Sequence, residues 1–393
     1  MTDSQLPGFS TRAIHAGQEA DPATGAVVTP IYQVSTYKQD GVGTLRTGLG
    51  TGYEYSRSGN PTRTSLESQL ASLEQGDAGF AFASGLAAED AILRALLRPG
   101  DHVVVPDDAY GGTYRLVKRV VEPWGVEHTP VDLASVDAVR EAVRPGKTRL
   151  VWVETPTNPL LTIADIAALA EVTHAAGALL VVDNTFATPY LQTPLTLGAD
   201  LVVSSTTKYA GGHSDVVGGA VVVRDGDDGR GSTLTERIGF HQNAMGGVPG
   251  PFDSWLVQRG LKTLAVRMER HCDNAERVVE FLQSHPRITK ILYPGLPEHR
   301  NHDVAARQMK RFGGMISFRT ASVEDALAIC AATQLFTLGE SLGGVESLVE
   351  HPGTMTHAAV AGSLLEVPDD LIRLSVGIED ADDLVADLAQ ALG

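Results

Sequence analysis

The sequence predicts an α/β fold built on a mostly parallel central sheet, with a smaller α+β domain following it. Three observations carry the prediction. Short apolar runs such as HVVVPD (102–107) and ALLVVD (178–183) recur between residues 79 and 224. They are continuous rather than alternating, as in strands covered on both faces. Most are separated by stretches whose leucines recur at helical spacing, the βαβ rhythm of a parallel sheet.

Residues 1–57 come first, rich in Gly, Thr and Pro and without periodicity; GVGTLRTGLGTGYEYSRSG (41–59) reads as loop. Such a segment has no core of its own, so 1–57 is an arm ordered by something else. Asn60 then caps a helix and Pro61 opens it, Leu66, Leu70 and Leu73 form its apolar stripe, and Gly76 ends it. GFAFAS (79–84) leads into a helix carrying Leu86, Leu93, Leu96 and Leu97, and HVVVPD into one carrying Leu116, Val117 and Val120. RLVWVE (149–154), ALLVVD, DLVVSS (200–205) and GAVVVR (219–224) are the remaining strands of a large domain over 58–252. The smaller domain, 253–393, opens with the helical span QRGLKTLAVRMERHCDNAERVVEFLQSH (258–285). It continues with strand-like GGMISFRT (313–320) and helix-like VEDALAICAAT (323–333). RDGDDGRGS (224–232) reads as a solvated turn.

Charge excludes some partners. Lys and Arg total 31 against 48 Asp and Glu, a net −17 that repels phosphate backbones and anionic membrane surfaces, so neither nucleic acid nor membrane is an expected partner. MTDSQLPGFS carries no basic-then-apolar signal and no run of about 18 apolar residues follows, which predicts a soluble, cytoplasmic protein. Cys272 and Cys330 lack zinc-type spacing and read as buried thiols; His213, His351 and His357 fit no metal site.

Ligands of parallel sheets bind beyond the carboxyl ends of the strands. The residues there are Ser84-Gly85, Asp107 to Tyr110, Glu154 to Asn158, Asp183-Asn184 and Ser204 to Lys208. Ser84-Gly85-Leu86, where a strand turns into a helix, offers backbone N–H groups to an anion. Asp183 closes an apolar run, where a carboxylate calls for a cationic partner. Lys208 follows the next strand, and a partly desolvated amine is a nucleophile for an aldehyde. Singly, each has an ordinary alternative: Ser84 as helix cap, Asp183 as turn cap, Lys208 as a solvated lysine. Together an amine, a carboxylate, an anion pocket and the aromatic Tyr110 are what pyridoxal 5′-phosphate (PLP) requires.

The motifs YEYSRSGNPTR (53–63), AFASGLAA (81–88), PDDAYGGT (106–113), VETPTNP (153–159), VVDNTF (181–186), SSTTKYAGGHSDVVGG (204–219), ESLGGVESL (340–348) and LIRLSVGIED (371–380) resemble those of the PLP-dependent enzymes of Cys/Met metabolism. The chain is most similar to members that cleave or make cystathionine at Cγ. The resemblance covers essentially the whole chain and implies the aspartate-aminotransferase-like fold type I. It implies that Lys208 bonds the cofactor aldehyde, Asp183 pairs with the pyridinium nitrogen and Tyr110 stacks on the ring. Gly85, Leu86, Ser205 and Thr207 would hold the phosphate, and Tyr55 and Arg57 would reach it from a neighbouring subunit, in a homotetramer made of two active dimers. Asn158 would lie by the phenolic oxygen and the substrate carboxylate, which Arg373 and Ser341 bind. Glu54 and Glu340 match positions that recognise the distal amino group of cystathionine.

Lys208, Tyr110 and Asp183 are then the catalytic set: the freed Lys208 takes the α-proton, Asp183 keeps the ring nitrogen protonated, and Tyr110 serves the departing group. On the strength of Glu54 and Glu340, the leading expectation is α,γ-elimination of L-cystathionine to L-cysteine, 2-oxobutanoate and ammonia. The alternative is γ-replacement of O-succinyl- or O-acetyl-L-homoserine by L-cysteine, and a PLP-binding regulator or scaffold without turnover is a third reading. Gly112 stands where a methionine γ-lyase of this family would carry cysteine.

Overall fold

The computed structural model describes residues 6–46, 52–356 and 367–393. The first long helix, Pro61–Glu74, starts as its sequence demands: Asn60 Oδ1 accepts the N–H of Thr62 at 3.0 Å and of Arg63 at 3.4 Å. Its end differs from the expectation. Gln75, not Gly76, takes the left-handed conformation (φ 59°), and Gly76 is required for packing, since a Cβ there would stand 2.4 Å from Val222 Cγ1.

The strands of the first sheet are β1 (Ala78–Phe82), β2 (His102–Pro106), β3 (Glu127–Val131), β4 (Thr148–Glu154), β5 (Leu179–Asp183), β6 (Leu201–Ser204) and β7 (Gly219–Val223). They lie in the order β1-β7-β6-β5-β4-β2-β3, and every pairing is parallel except the two made by β7. The continuous apolar runs split by parity: Val151, Val153, Leu180, Val182 and Val202 enter one core, Leu150, Trp152, Val181, Leu201 and Val203 the other. This is a sheet covered on both faces. A second sheet follows, with strands β8 (Lys290–Leu292), β9 (Met315–Arg319), β10 (Thr337–Leu338), β11 (Leu348–Glu350) and β12 (Leu371–Ser375) in the order β10-β11-β12-β9-β8. Its core is shared with the helices Leu264–Ser284 and Ala381–Leu392. The domain division at 57 and 252 remains a proposal; the first sheet lies wholly before residue 252 and the second wholly after it.

Two other expectations are corrected. The arm contains a helix, Phe9–His15, whose Ala13 is buried. The long helical span is two helices, Pro251–Leu261 and Leu264–Ser284. The turn at 224–232 is exposed at most of its positions, as expected, but Asp228 within it is buried, ion-paired to Arg237 Nε at 2.5 Å, and accepts the N–H groups of Arg230 and Ser232. Both cysteines are buried free thiols, and no described helix is long and apolar enough to cross a membrane.

One buried group makes the fold sensitive to alkali. Among the described residues Glu74 receives only the Asn184 amide, at 3.1 and 3.4 Å, and burial raises its pKa from 4.5 to about 8. Between those values the folded chain holds a proton that the unfolded chain has lost, so stability declines as pH rises through this window. Glu74→Gln removes the ionisation. Its melting temperature relative to the wild type is expected to be higher at pH 9 than at pH 6; an equal difference at both pH values would refute the assignment.

Candidate active site

The carboxyl ends of β4, β5 and β6 open into a cavity of about 380 Å³. On its floor Lys208 Nζ donates to Ser341 Oγ at 2.9 Å. Burial lowers the Lys208 pKa to about 8, and the nearby Arg373 guanidinium adds to that shift, so a substantial fraction is free amine in mildly alkaline solution. The turn beyond it is held from beneath: the buried Arg267 donates to Tyr209 O at 2.7 Å and to Gly260 O at 2.8 Å.

Asp183 ends β5 and is pushed upward in pKa by burial, opposed by Thr185, whose backbone N–H donates to Asp183 Oδ1 at 2.9 Å. The Thr185 hydroxyl accepts the N–H of Ser205 at 2.9 Å, tying the end of β5 to the turn that carries Lys208. Beside Asp183, the helix Gly85–Leu96 presents its first turn to the cavity. Ser84 Oγ accepts the Ala87 N–H, whereas the N–H groups of Gly85 and Leu86 belong to the turn that has no intrahelical acceptors. Glycine is required at 85, because a Cβ would come within 3.0 Å of Ser205 Cβ. Thr207 also faces the cavity, but its hydroxyl is engaged with Gly218, donating to the carbonyl at 3.2 Å and accepting the N–H at 3.0 Å.

Tyr110 stands at the rim with its N–H donated to Glu154 Oε2 at 2.8 Å. Its ring lies so close to Gly112 that a Cβ there would sit 2.3 Å from Tyr110 Cε1. At the far wall Arg373 donates to Asn158 Oδ1 at 2.8 Å and to Ser341 O at 2.7 Å. Ser341 holds a φ of 113°, a left-handed conformation costly for serine. It meets Lys208 through its hydroxyl and Arg373 through its carbonyl.

Gly85, Leu86, Tyr110, Asn158, Asp183, Ser205, Thr207, Lys208, Glu340, Ser341 and Arg373 thus line one cavity. Glu54, Tyr55 and Arg57 do not. Glu54 is exposed on the arm and does not line the cavity that Glu340 lines. Tyr55 and Arg57 line a separate concavity, where Arg57 Nη1 donates to Asn243 O at 2.7 Å. His213 bonds Gly211 O, His351 bonds Thr354, and His357 lies outside the described residues.

Sequence reasoning assigned no role to three buried acids. Glu154 accepts the N–H groups of both Tyr110 and Asn158, and burial, then Asp183, raise it well above the usual carboxylate range. Its signal was present, since it closes an apolar run just as Asp183 does. Glu89, four residues after Gly85 and so on the same helix face, also lines the cavity and is raised by burial and Asp183. Glu350 pairs with Arg373 at 2.8 Å.

The residues suit a cofactor carrying an aldehyde, a phosphate and a basic ring nitrogen. Asp183 is a half-buried carboxyl at the cavity with no ion-pair partner among the described residues, Lys208 is a depressed amine, and the Gly85 turn offers uncommitted N–H groups. The profile of the Cys/Met metabolism PLP-dependent enzymes matches residues 10–393. The chain belongs to this family. PLP is its cofactor. A cystathionine gamma-synthase of Mycobacterium tuberculosis (strain ATCC 25618 / H37Rv) is 61% identical over 389 residues, covering 99% of this chain and 97% of the relative. A cystathionine gamma-lyase of Bacillus subtilis (strain 168) is 51% identical over 385 residues, covering 97% and 98%. The crystal structure of metB from Corynebacterium glutamicum superposes with a TM-score of 0.94 at 56% identity, covering 98% of each chain. The chain is therefore a PLP-dependent enzyme of the trans-sulfuration type, with the fold of that family.

Proposed function

We propose that this enzyme is a cystathionine γ-synthase, joining L-cysteine to an O-acyl-L-homoserine. The Cγ–oxygen bond breaks and the acyl group leaves as its carboxylate; the cysteine sulfur then bonds to Cγ, giving up its thiol proton. The sequence alone put γ-elimination first. What favours γ-replacement is the identity gradient: 61% to a γ-synthase against 51% to a γ-lyase, each over nearly the full chain.

When bound, PLP supplies an electron sink for negative charge at the substrate carbons. Asp183 holds the proton on the ring nitrogen that keeps this sink effective. With PLP bound, Lys208 Nζ would take the proton from the substrate Cα, and its depressed pKa poises it to do so. Arg373 and Asn158 orient the substrate carboxylate. Tyr110 Oη, at the cavity rim, exchanges a proton with the departing carboxylate or the arriving thiol. Tyr55 and Arg57 complete the phosphate site of a neighbouring subunit in a homotetramer. Large exposed apolar residues along the arm, Val27 at 83% exposure among them, support a partner surface there.

Two steady-state assays on one preparation test the proposal: cystathionine formed from O-succinyl- or O-acetyl-homoserine plus cysteine, and cystathionine cleaved when supplied alone. Formation is expected to be the faster by a clear margin. Cleavage without formation would return the lyase reading to first place.

A further inference from the structure

Glu350 stands directly opposite Arg373 in the antiparallel pairing of β11 with β12. Both side chains are out of solvent, at 1% and 2% exposure, and Glu350 Oε1 lies 2.8 Å from Arg373 Nη1. Thr356 Oγ1 donates to the same oxygen at 2.9 Å. Glu350 Oε2 and Arg373 Nε have no hydrogen-bond partner among the described residues. The guanidinium is thus fixed between Glu350, Asn158 and Ser341, and the pair carries no net charge next to Lys208.

We propose that Glu350 is a positioning residue with two effects: it fixes the Arg373 guanidinium for the substrate carboxylate, and its negative charge offsets that of Arg373 beside Lys208. A buried ion pair is poor evidence of added stability, and replacing such pairs by apolar residues is often neutral or better. This one joins adjacent strands at the wall of the cavity, and its cation touches Asn158 and Ser341, two residues of the site. The charged and titratable groups around it are few. Arg373 from β12 and Glu340 from the loop before Ser341 face both Glu350 and Lys208, while the Cys330 thiol of the helix Val323–Ala332 lies behind Glu350. Asp183, Glu154, Glu89 and Tyr110 line the same cavity as Lys208, and Tyr209 also acts on Arg373. Of these, Glu350 alone is ion-paired to Arg373.

The two effects separate by substitution. Glu350→Gln keeps a carbonyl oxygen to receive Arg373 Nη1 and Thr356, and places its amide nitrogen where Oε2 has no partner; it removes charge and little else. Glu350→Ala removes the brace as well. The positioning half rests on Arg373 being the carboxylate ligand, whereas the charge half is read without substrate.

The test uses wild-type, Glu350→Gln and Glu350→Ala holoenzymes. The visible absorption band of the lysine-bound cofactor is titrated with pH, and KM and kcat are measured for the amino-acid substrate. With Arg373 unopposed, the protonated nitrogen of Lys208 is disfavoured, so the midpoint in Glu350→Gln is expected to fall by on the order of 1 pH unit. In Glu350→Ala, KM is expected to rise on the order of 10-fold or more, with a smaller change in kcat, from loss of a charge-assisted hydrogen bond's alignment. A midpoint in Glu350→Gln equal to that of the wild type overturns the charge half. Unchanged KM in Glu350→Ala overturns the positioning half. Should Glu350→Ala fail to fold, KM in Glu350→Asp, which keeps the charge but shortens the reach, decides the positioning half: a rise supports it and no change overturns it. An unaltered KM in Arg373→Lys would instead sink the carboxylate reading itself, and the titration result would stand apart from it.

Discussion

Lys208→Ala is expected to abolish the absorption band of the lysine-bound cofactor and to reduce turnover by at least about 10²–10⁴-fold, the range for one positioned general base. The loss should exceed that range, because the same nitrogen both anchors the cofactor and moves the α-proton. A local control separates chemistry from folding. In the folded apo-protein burial lowers this lysine from 10.5 to about 8, so its charged form is disfavoured. That cost is fully present below pH 8 and is relieved as pH rises towards 10.5. Apo-Lys208→Ala is therefore expected to melt no lower than the apo-wild type at pH 7. The decisive measurements are the spectrum of the PLP-loaded variant and its rate of cystathionine formation. A variant that keeps both band and rate would remove Lys208 from the mechanism.

The parts of this site that could be read from the sequence are those that share one physical cause. A parallel sheet brings the carboxyl ends of its strands to one edge, so Asp183, Lys208 and the Ser84-Gly85 turn were predictable neighbours once their apolar runs were recognised. The edge strand β3 escaped because only its last residue, Val131, is buried and Pro130 interrupts the run. The helix Phe9–His15 escaped for a related reason: it is a short helix whose apolar side is completed by packing against Pro61–Glu74, not by its own periodicity. Glu350 gave no local signal. Its meaning depends on the register that puts it opposite Arg373, a pairing between strands that are 20 or more residues apart in sequence. Reaction direction was the least legible feature, since elimination and replacement use the same amine, carboxylate and arginine.

The same pair makes Arg373→Met the more revealing substitution for stability. For catalysis, removing a buried hydrogen-bonded charge from the carboxylate site is expected to cost about 2–5 kcal/mol of transition-state binding, seen chiefly as a higher KM. For folding, it strands Glu350 inside the protein, a loss of about 3–5 kcal/mol when one partner of a buried pair is removed. Glu350 can escape that cost only by taking a proton. Burial already raises its pKa and Arg373 is the main opposing influence, so the variant's Glu350 titrates higher still. A carboxyl with a raised folded pKa favours the fold at low pH and disfavours it as pH climbs through that value. The melting-temperature gap between wild type and Arg373→Met is therefore expected to be small near pH 5.5 and large near pH 8. Adding Glu350→Gln to Arg373→Met should narrow the gap at pH 8, because the stranded charge is gone. A gap that is the same at both pH values, or a double variant no better than the single, would show that the loss arises from packing and not from an uncompensated carboxylate.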